Sequence, residues 1–441
     1  MKTLRLVILA TAGAASLALA ALVLYSLRSD GLLSHPLKPL PAVEVSTPAD
    51  ARIQRAQRAI EESPNSADGY NQLASAYLQK ARETDDSSFH AKAETAIARS
   101  IELEAANYDA IKLRAKLLLI YHRFREALET AQQAQKMRPD DHDVYGQITD
   151  ALVELGEYSD AVQAAQQMVD LRPDTASYAR VSYLRSLHGD TAGAVAAMRA
   201  AVKAANPKDP ESIAWCRVHL GNELMIAGDL TKAEREFDQA LQTFPDYRLA
   251  LEGKARARVA AGDVPGAVAI YQHQQAKAPS ADVALALGDL YTHLGEDGEA
   301  DKHYEAFESL ERENVAVENS WRHMTNYWLD HDKNLGQALA FAQQEYETRK
   351  DIFTCDALAW ALYKHGRMDE AKALMKEALR LGTRDGRINY HAGMIYKALG
   401  MRSLAMKHLK LSIQASSSDL LQVVRAKKAL NELTETYPRQ L

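Results

Sequence analysis

From Ala67 onward the chain repeats one alternation of apolar and polar positions. Segments with helical spacing of apolar residues come in pairs, and the pairs recur at a fixed interval. Prolines mark the interval: Pro139, Pro173 and Pro207 are each 34 residues apart, as are Pro245 and Pro279. The residues around each proline keep the same order. One unit reads Leu220-Gly221, Leu224, Gly228, Ala233, Phe237, Ala240-Leu241, Pro245. Another reads Leu287-Gly288, Tyr291, Gly295, Ala300, Tyr304. Two later ones read Leu358-Ala359, Leu362, Gly366, Ala371, Met375, Ala378-Leu379 and Ala392-Gly393, Tyr396, Gly400, Ala405, Leu409. A small residue after the first Leu lets two helices approach closely. The mid-unit glycine ends the first helix in a backbone conformation that other residues avoid. The alanines let the second helix lie against its neighbour.

A 34-residue helix–turn–helix with proline after its second helix resembles the tetratricopeptide repeat (TPR). The resemblance implies an all-α fold: a right-handed TPR superhelix, an α-solenoid of about ten repeats. Ala51 to Ser63 reads as the second helix of an incomplete first unit. Repeat one spans Ala67 to Ala105, with extra residues around Thr84 to Ser88 between its helices. Repeat eight, around Asn319 to Lys350, matches least well. Leu420 to Thr436 reads as a final helix whose Arg425, Lys427, Lys428, Glu432 and Glu435 solvate the open end of the array. The stretches SYARVSYLRSLHG (Ser177 to Gly189), DALAWALYKHGRMDEA (Asp356 to Ala371) and YHAGMIYKALG (Tyr390 to Gly400) are similar to those of exported, membrane-anchored bacterial TPR proteins. That likeness implies the fold and an exported location, and supplies no catalytic residue.

The N-terminus follows a different pattern. Lys2 and Arg5 precede an uncharged run, Leu6 to Tyr25, rich in Leu, Ala and Val. As a helix it would span about 30 Å, the thickness of a bilayer core. Ala18-Leu19-Ala20 could serve as a signal-peptidase site, but Leu22 to Tyr25 follow without a polar break, which favours an uncleaved anchor over a signal peptide. The basic residues before the run place the N-terminus in the cytoplasm and the array outside it. The expected organisation is therefore an anchor or signal sequence over residues 1–28, a linker over 29–48 spaced by Pro36, Pro39, Pro41 and Pro48, the TPR array over 49–417, and a capping helix and tail over 418–441. The location is a single-pass inner membrane protein, with secretion after cleavage as the alternative.

Charge and motifs narrow the function. Beyond residue 28 the chain carries 50 basic against 59 acidic residues, so it has no global attraction for a phosphate backbone, and nucleic acid is not expected as a partner. Cys216 and Cys355 lie in different repeats, which a solenoid keeps apart, so both read as small buried apolar residues. No metalloprotease, serine-hydrolase, Walker or dinucleotide motif occurs. His323 and His331 could share a helix face, but no further metal ligands join them. No enzyme, metal or cofactor is expected.

Binding remains, to a protein or peptide. The TPR resemblance implies that positions two, five, nine and twelve of each first helix face a concave groove. Repeat eight then offers His323, Tyr327 and Asp330. Repeat nine offers Phe353, Asp356, Trp360 and Tyr363, and repeat ten offers Arg387, Tyr390, Met394 and Lys397. This is an aromatic groove with a basic edge, since residues 382–417 carry a local charge of +5. The competing reading packs Trp360 and Tyr363 between repeats. A second candidate lies mid-array: Asp150, Arg180, Tyr183, Trp215, His219 and Asn222. The TPR clamp for a chaperone's C-terminal carboxylate is absent: Lys112 at position five is followed by Lys116 at nine, and Asn222 at nine is preceded by Val218 at five. The leading expectation is a membrane-tethered scaffold holding a partner in its groove. The alternatives are a structural subunit of an envelope assembly joined through its convex face or ends and, last, an enzyme.

Overall fold

The computed structural model describes residues 48–84, 86–318, 321–415 and 419–435. The run Leu6 to Tyr25 and the linker before Pro48 lie outside the described residues. No described helix is long and apolar enough to cross a membrane. Among the described residues all regular structure is helical. A lone first helix, α1 (Pro48–Glu62), is followed by ten helical hairpins. These are α2 (Ala67–Thr84) with α3 (Ser88–Leu103), α4 (Tyr108–Ile120) with α5 (Phe124–Met137), and α6 (His142–Glu154) with α7 (Tyr158–Leu171). Next come α8 (Thr175–Leu187) with α9 (Thr191–Ala204), α10 (Pro210–Ile226) with α11 (Leu230–Thr243), and α12 (Arg248–Ala260) with α13 (Val264–Lys277). The last four are α14 (Ala281–Leu294) with α15 (Asp297–Glu318), α16 (Arg322–Asp330) with α17 (Leu335–Thr348), α18 (Ile352–Lys364) with α19 (Met368–Ala378), and α20 (Gly386–Ala398) with α21 (Arg402–Ala415). A final helix, α22 (Leu420–Glu435), closes the array.

Local chemistry sets the hairpins. Gly189, Gly228 and Gly262 turn the chain with φ of 73°, 81° and 85°. The aspartate after each, Asp190, Asp229 and Asp263, then caps the next helix by accepting a backbone N–H from its first turn. In α11 the buried residues Ala233, Phe237 and Ala240 form one stripe, flanked by the partly buried Leu230 and Leu241, and the other face is polar. That stripe meets glycines. A Cβ at Gly221 would lie 2.5 Å from the Phe237 ring, and one at Gly253 would lie 2.3 Å from it. One ring thus fills notches in the first helices of two successive repeats. Gly288 plays the same part for Tyr304, at 2.5 Å.

First helices of neighbouring repeats touch one another: α2 with α4, α4 with α6, α6 with α8, α8 with α10 and α10 with α12, then α16 with α18, α18 with α20, and α20 and α14 with α22. They form the inner wall, and the second helices lie outside. The wall curves tightly enough that the array meets itself, unlike a solenoid in which each repeat touches only its neighbours. Tyr158 Oη accepts from the Ile352 N–H at 2.9 Å, the Lys350 N–H donates to the Glu154 carbonyl at 3.2 Å, and Arg349 pairs with the Glu154 carboxylate. Gly189 packs against the Gly382 carbonyl so closely that a Cβ would approach it to 2.5 Å. Arg82 reaches Glu211 at 3.5 Å. Repeats three and four therefore rest on repeats nine and ten. Cys216 and Cys355 are free and buried.

The contact at repeat three is ionic. Arg349 bonds Asp351 at 3.1 Å and Glu345 at 3.1 Å, while Arg322 bonds Asp351 at 2.6 Å and Glu345 at 3.2 Å. Burial alone would raise both Glu154 and Asp351; the two guanidiniums overcome it for Asp351, which is lowered, but not for Glu154, which stays raised.

Two stability outcomes follow. Gly221→Leu and Gly288→Leu should each cost roughly 1–3 kcal/mol or more by overpacking, read as a lower urea midpoint. Gly228→Ala should cost only about 1–2 kcal/mol, from its left-handed backbone, because the added Cβ would meet nothing within 4 Å. Arg349→Leu leaves Glu154 and Asp351 under-compensated and should cost about 3–5 kcal/mol. It should also raise amide exchange at residues 154–158 and 349–352 before the rest of the array opens.

Candidate functional site

The C-terminal inner wall is built around Trp360. Its indole is 3% exposed, donates to Asp330 at 3.2 Å, and stacks on His391 at 4.2 Å and on Tyr363 at 4.7 Å. His391 is 1% exposed, with Nδ1 2.9 Å from Asp356 and Nε2 3.6 Å from Asp330. Arg387 reaches Asp330 at 3.4 Å. Burial alone would raise the Asp330 carboxyl, but Arg387 and His391 outweigh it and hold it well below the usual carboxylate range. Burial likewise opposes the charge on His391, and Asp356 and Asp330 overcome it, so its pKa is raised.

Across from this wall lies α22. Asp419, Leu421, Gln422 and Arg425 face Leu285 and Asp289 of α14 and His323, Asn326, Arg387 and Tyr390, around a cavity of only 40 Å³. That is room for water, not for a peptide. Arg425, expected to solvate the open end, lines this cavity instead. Tyr327 is buried against Tyr304 and Phe307, and its hydroxyl accepts from Lys333 at 2.7 Å. Tyr390 is buried and Lys397 pairs with Glu432, while Met394 and Tyr363 are half-buried. The structure thus brings these residues together, with Tyr327, Asp356, Trp360 and Tyr390 buried as inter-repeat packing and His323, Arg387 and Tyr363 partly exposed. The buried ones are covered because Tyr327 packs on Tyr304 and Phe307, Trp360 and Asp356 pack on His391, and α22 faces Tyr390.

The mid-array residues occupy successive inner helices, α6, α8 and α10. Arg180 grips Asp150 at 2.6 and 2.9 Å and also donates to the Gly146 carbonyl. Trp215 packs against His219 with ring centres 4.0 Å apart and the planes tilted by 42°, and Asn222 accepts from Arg256 at 2.8 Å. Tyr183 keeps 44% of its surface exposed. Burial, then Arg256, pushes His219 down to about 4. Among the described residues one group, Asp141, His142 and Asp143, has metal-compatible spacing. Its atoms already serve Tyr108 at 2.6 Å, Lys112 at 2.8 Å and Asp174 at 2.9 Å, so it reads as a surface ion network.

The sequence profile described as Tetratricopeptide repeat matches residues 118–182 and 224–290. With the hairpins and their glycine notches described, that decides the family. These are tetratricopeptide repeats. Among solved structures, the TPR array is similar to the Cut9–Hcn1 hetero-tetramer of the APC/C, at 17% identity over 88% of this chain and 67% of that one, with a TM-score of 0.37. It is similar to human IFIT1 at 14% identity over 75% and 76%, with a TM-score of 0.48. It is also similar to PilF of Pseudomonas aeruginosa at 16% over 48% and 92%, with a TM-score of 0.36. No curated protein matches the chain.

Within the TPR inner wall the sequence reading passed over Lys116, treating it only as a departure from the chaperone clamp. Near the N-terminal end lies a 490 Å³ hollow of mixed charge, lined by Arg52, Arg55, Asp68, Asn71, Asp109 and Lys112. The Lys112/Lys116 pair at one face of α4 was the available signal. The buried histidines give a pH test. His219 and His408 are both pushed down to about 4, chiefly by burial. The unfolded chain binds those protons below about pH 6.5 and the folded one does not, so their share of stability is lost as pH falls from 6.5 towards 4. His391 has the opposite sign: its share is full below about 6.5 and is lost as pH rises through its raised folded value. In an NMR titration at about pH 5.5, His219 and His408 should be neutral imidazoles and His391 an imidazolium.

Proposed function

We propose that this TPR protein is a membrane-tethered scaffold that holds a segment of a partner protein along the inner wall of repeats one to six, outside the cytoplasm. The observation that carries the reading is Tyr183. It is a large aromatic side chain, 44% exposed, on the inner wall where the C-terminal repeats are closed by their own last helix. Rigid aromatics recur as binding anchors because they bring area at small entropic cost. The tether rests on the uncharged run Leu6 to Tyr25 behind Lys2 and Arg5, and on the proline-spaced linker.

Two experiments test it. A photo-crosslinking residue at Tyr183 should trap a partner in intact cells, while one at Val162, exposed on the outer helix α7, should not. Trapping at Val162 alone would favour attachment through the convex face. Tyr183→Ala should weaken the trapped partner's binding by on the order of 2 kcal/mol, with the melting curve unchanged. A reporter active only outside the cytoplasm, fused after Pro48 in the full N-terminal segment, should be active; silence with good expression would reverse the orientation.

A further inference from the structure

The first described helix, α1, uses one face for folding. Ala49, Ile53 and Ala56 are buried where it packs on α2. Ile60 fills a notch there, since a Cβ at Gly69 would lie 2.8 Å from it. Asp50 is buried as well and pairs with Lys80 of α2 at 2.7 Å. The other face carries Arg52, Arg55 and Arg58, all exposed. They stand three residues apart, so each is turned about 60° from the one before. Together they run from the flank of the helix to the side opposite the buried stripe. Among the described residues none of the three has a carboxylate within ion-pair distance. The remaining acids of α1, Glu61 and Glu62, follow the third arginine. On the groove side Arg52 and Arg55 border the hollow that also holds Asp68 and Asp109, and Arg58 lies outside its lining. Several exposed arginines further along are answered by an acid of their own hairpin: Arg123 by Glu126, Arg185 by Asp190 and Arg367 by Glu370. Like charges three apart on a helix repel, so the arginine face works against the helix that carries it. Folding does not account for it.

Position and charge together indicate what this face meets. Residues 26–47, 22 in number, separate the uncharged run from α1. Fully extended they would reach about 75 Å, so α1 is the helix that the chain holds nearest to the end of that run. The array as a whole is acidic: beyond residue 28 it has 50 basic against 59 acidic residues, and an anionic surface repels it. Between Ala49 and Ile60 the balance is reversed, with three arginines against the single, already paired Asp50. A bilayer bearing anionic headgroups therefore attracts this one end of the array and repels the rest. The attraction acts over roughly a Debye length, about 10 Å at 0.1 M salt.

We infer that the arginine face of α1 docks on anionic lipid headgroups of the membrane that holds the N-terminal run, and so fixes which side of the array faces the bilayer. This rests on the tether proposed above and adds an orientation to it. A guanidinium offers a lipid phosphate two parallel N–H donors, and the three side chains reach the surface without breaking any contact that holds α1 on α2.

The test uses the full-length chain in nanodiscs, with a fluorescent donor on Ser63→Cys, an exposed position just past α1, and an acceptor on the lipid headgroups. Cys216 and Cys355 are buried and stay unlabelled. At about 0.1 M salt, energy transfer in discs containing about a third phosphatidylglycerol should be at least about twice that in phosphatidylcholine discs. At about 1 M salt, where the Debye length is about 3 Å, the difference should vanish. Arg52→Gln, Arg55→Gln and Arg58→Gln together should remove it at low salt and leave the melting curve in place, because the three side chains are exposed and unpaired. Arg52→Lys, Arg55→Lys and Arg58→Lys together should keep most of it, because the charge is retained. Equal transfer in neutral and anionic discs would overturn the inference, as would a triple Gln variant that still responds to lipid charge. An acidic partner protein, the other occupant that the charge would suit, would leave the transfer independent of the lipid. A chain that washes off neutral vesicles in high salt shows that the tether has failed, and the docking with it. A chain that stays on them but ignores lipid charge leaves the tether standing and refutes the docking.

Discussion

The structure depends on how closely two helix backbones can approach. Phe237 fits between Gly221 and Gly253, and Tyr304 fits against Gly288, because none of these three glycines has a Cβ to hold the ring away. A close crossing fixes the tilt of each hairpin on the next, and because the same crossing recurs, the tilts accumulate in one sense. In the middle repeats the tilt of one hairpin on the next is therefore set by contacts of single rings.

Accumulated curvature has two results. It brings the α6–α7 turn onto the start of α18, where Arg349 and Arg322 share Glu154, Glu345 and Asp351 in a partly dry seam. Groups so placed cost desolvation and are held by mutual pairing. It also divides the interior. Towards the C-terminus the inner helices α14 to α20 and α22 close on each other, and Trp360, His391 and Asp330 fill the space between them. Towards the N-terminus the wall stays open enough for water to reach Lys116 and Tyr183. One geometry accounts for both the sealed half and the accessible half.

Much of the fold was legible in the sequence, because it is written in residue types at fixed offsets. Gly221, Gly288, Phe237 and the mid-unit glycines each have a local physical reason and recur at one spacing. The extra residues after Thr84 and the final helix from Leu420 were legible for the same reason. The site was less so. The TPR positions of Asp356, Trp360 and Tyr390 name the side of the helix they occupy, but not whether the next helix covers that side. Tyr327 shows the difficulty most clearly: in the short helix α16 it faces Tyr304 and Phe307, and the weak match of repeat eight gave no register to foresee this. The pairing of Arg349 with Glu154 spans 195 residues and has no local signature.

That span alters how the array should assemble. A repeat protein ordinarily folds from contacts close in sequence, and units can be added or removed at an end with little effect on the middle. Here the seam ties repeat three to repeat nine, so part of the native contact order is long-range and its loop-closure entropy must be met late. Repeats one to six can gain their own hairpins as they emerge from the ribosome, but the α6–α7 turn waits for the last third of the chain before it is covered. Removing the C-terminal repeats would therefore uncover a surface in the first half of the molecule, and the protein should behave as one cooperative body rather than as a string of separable modules.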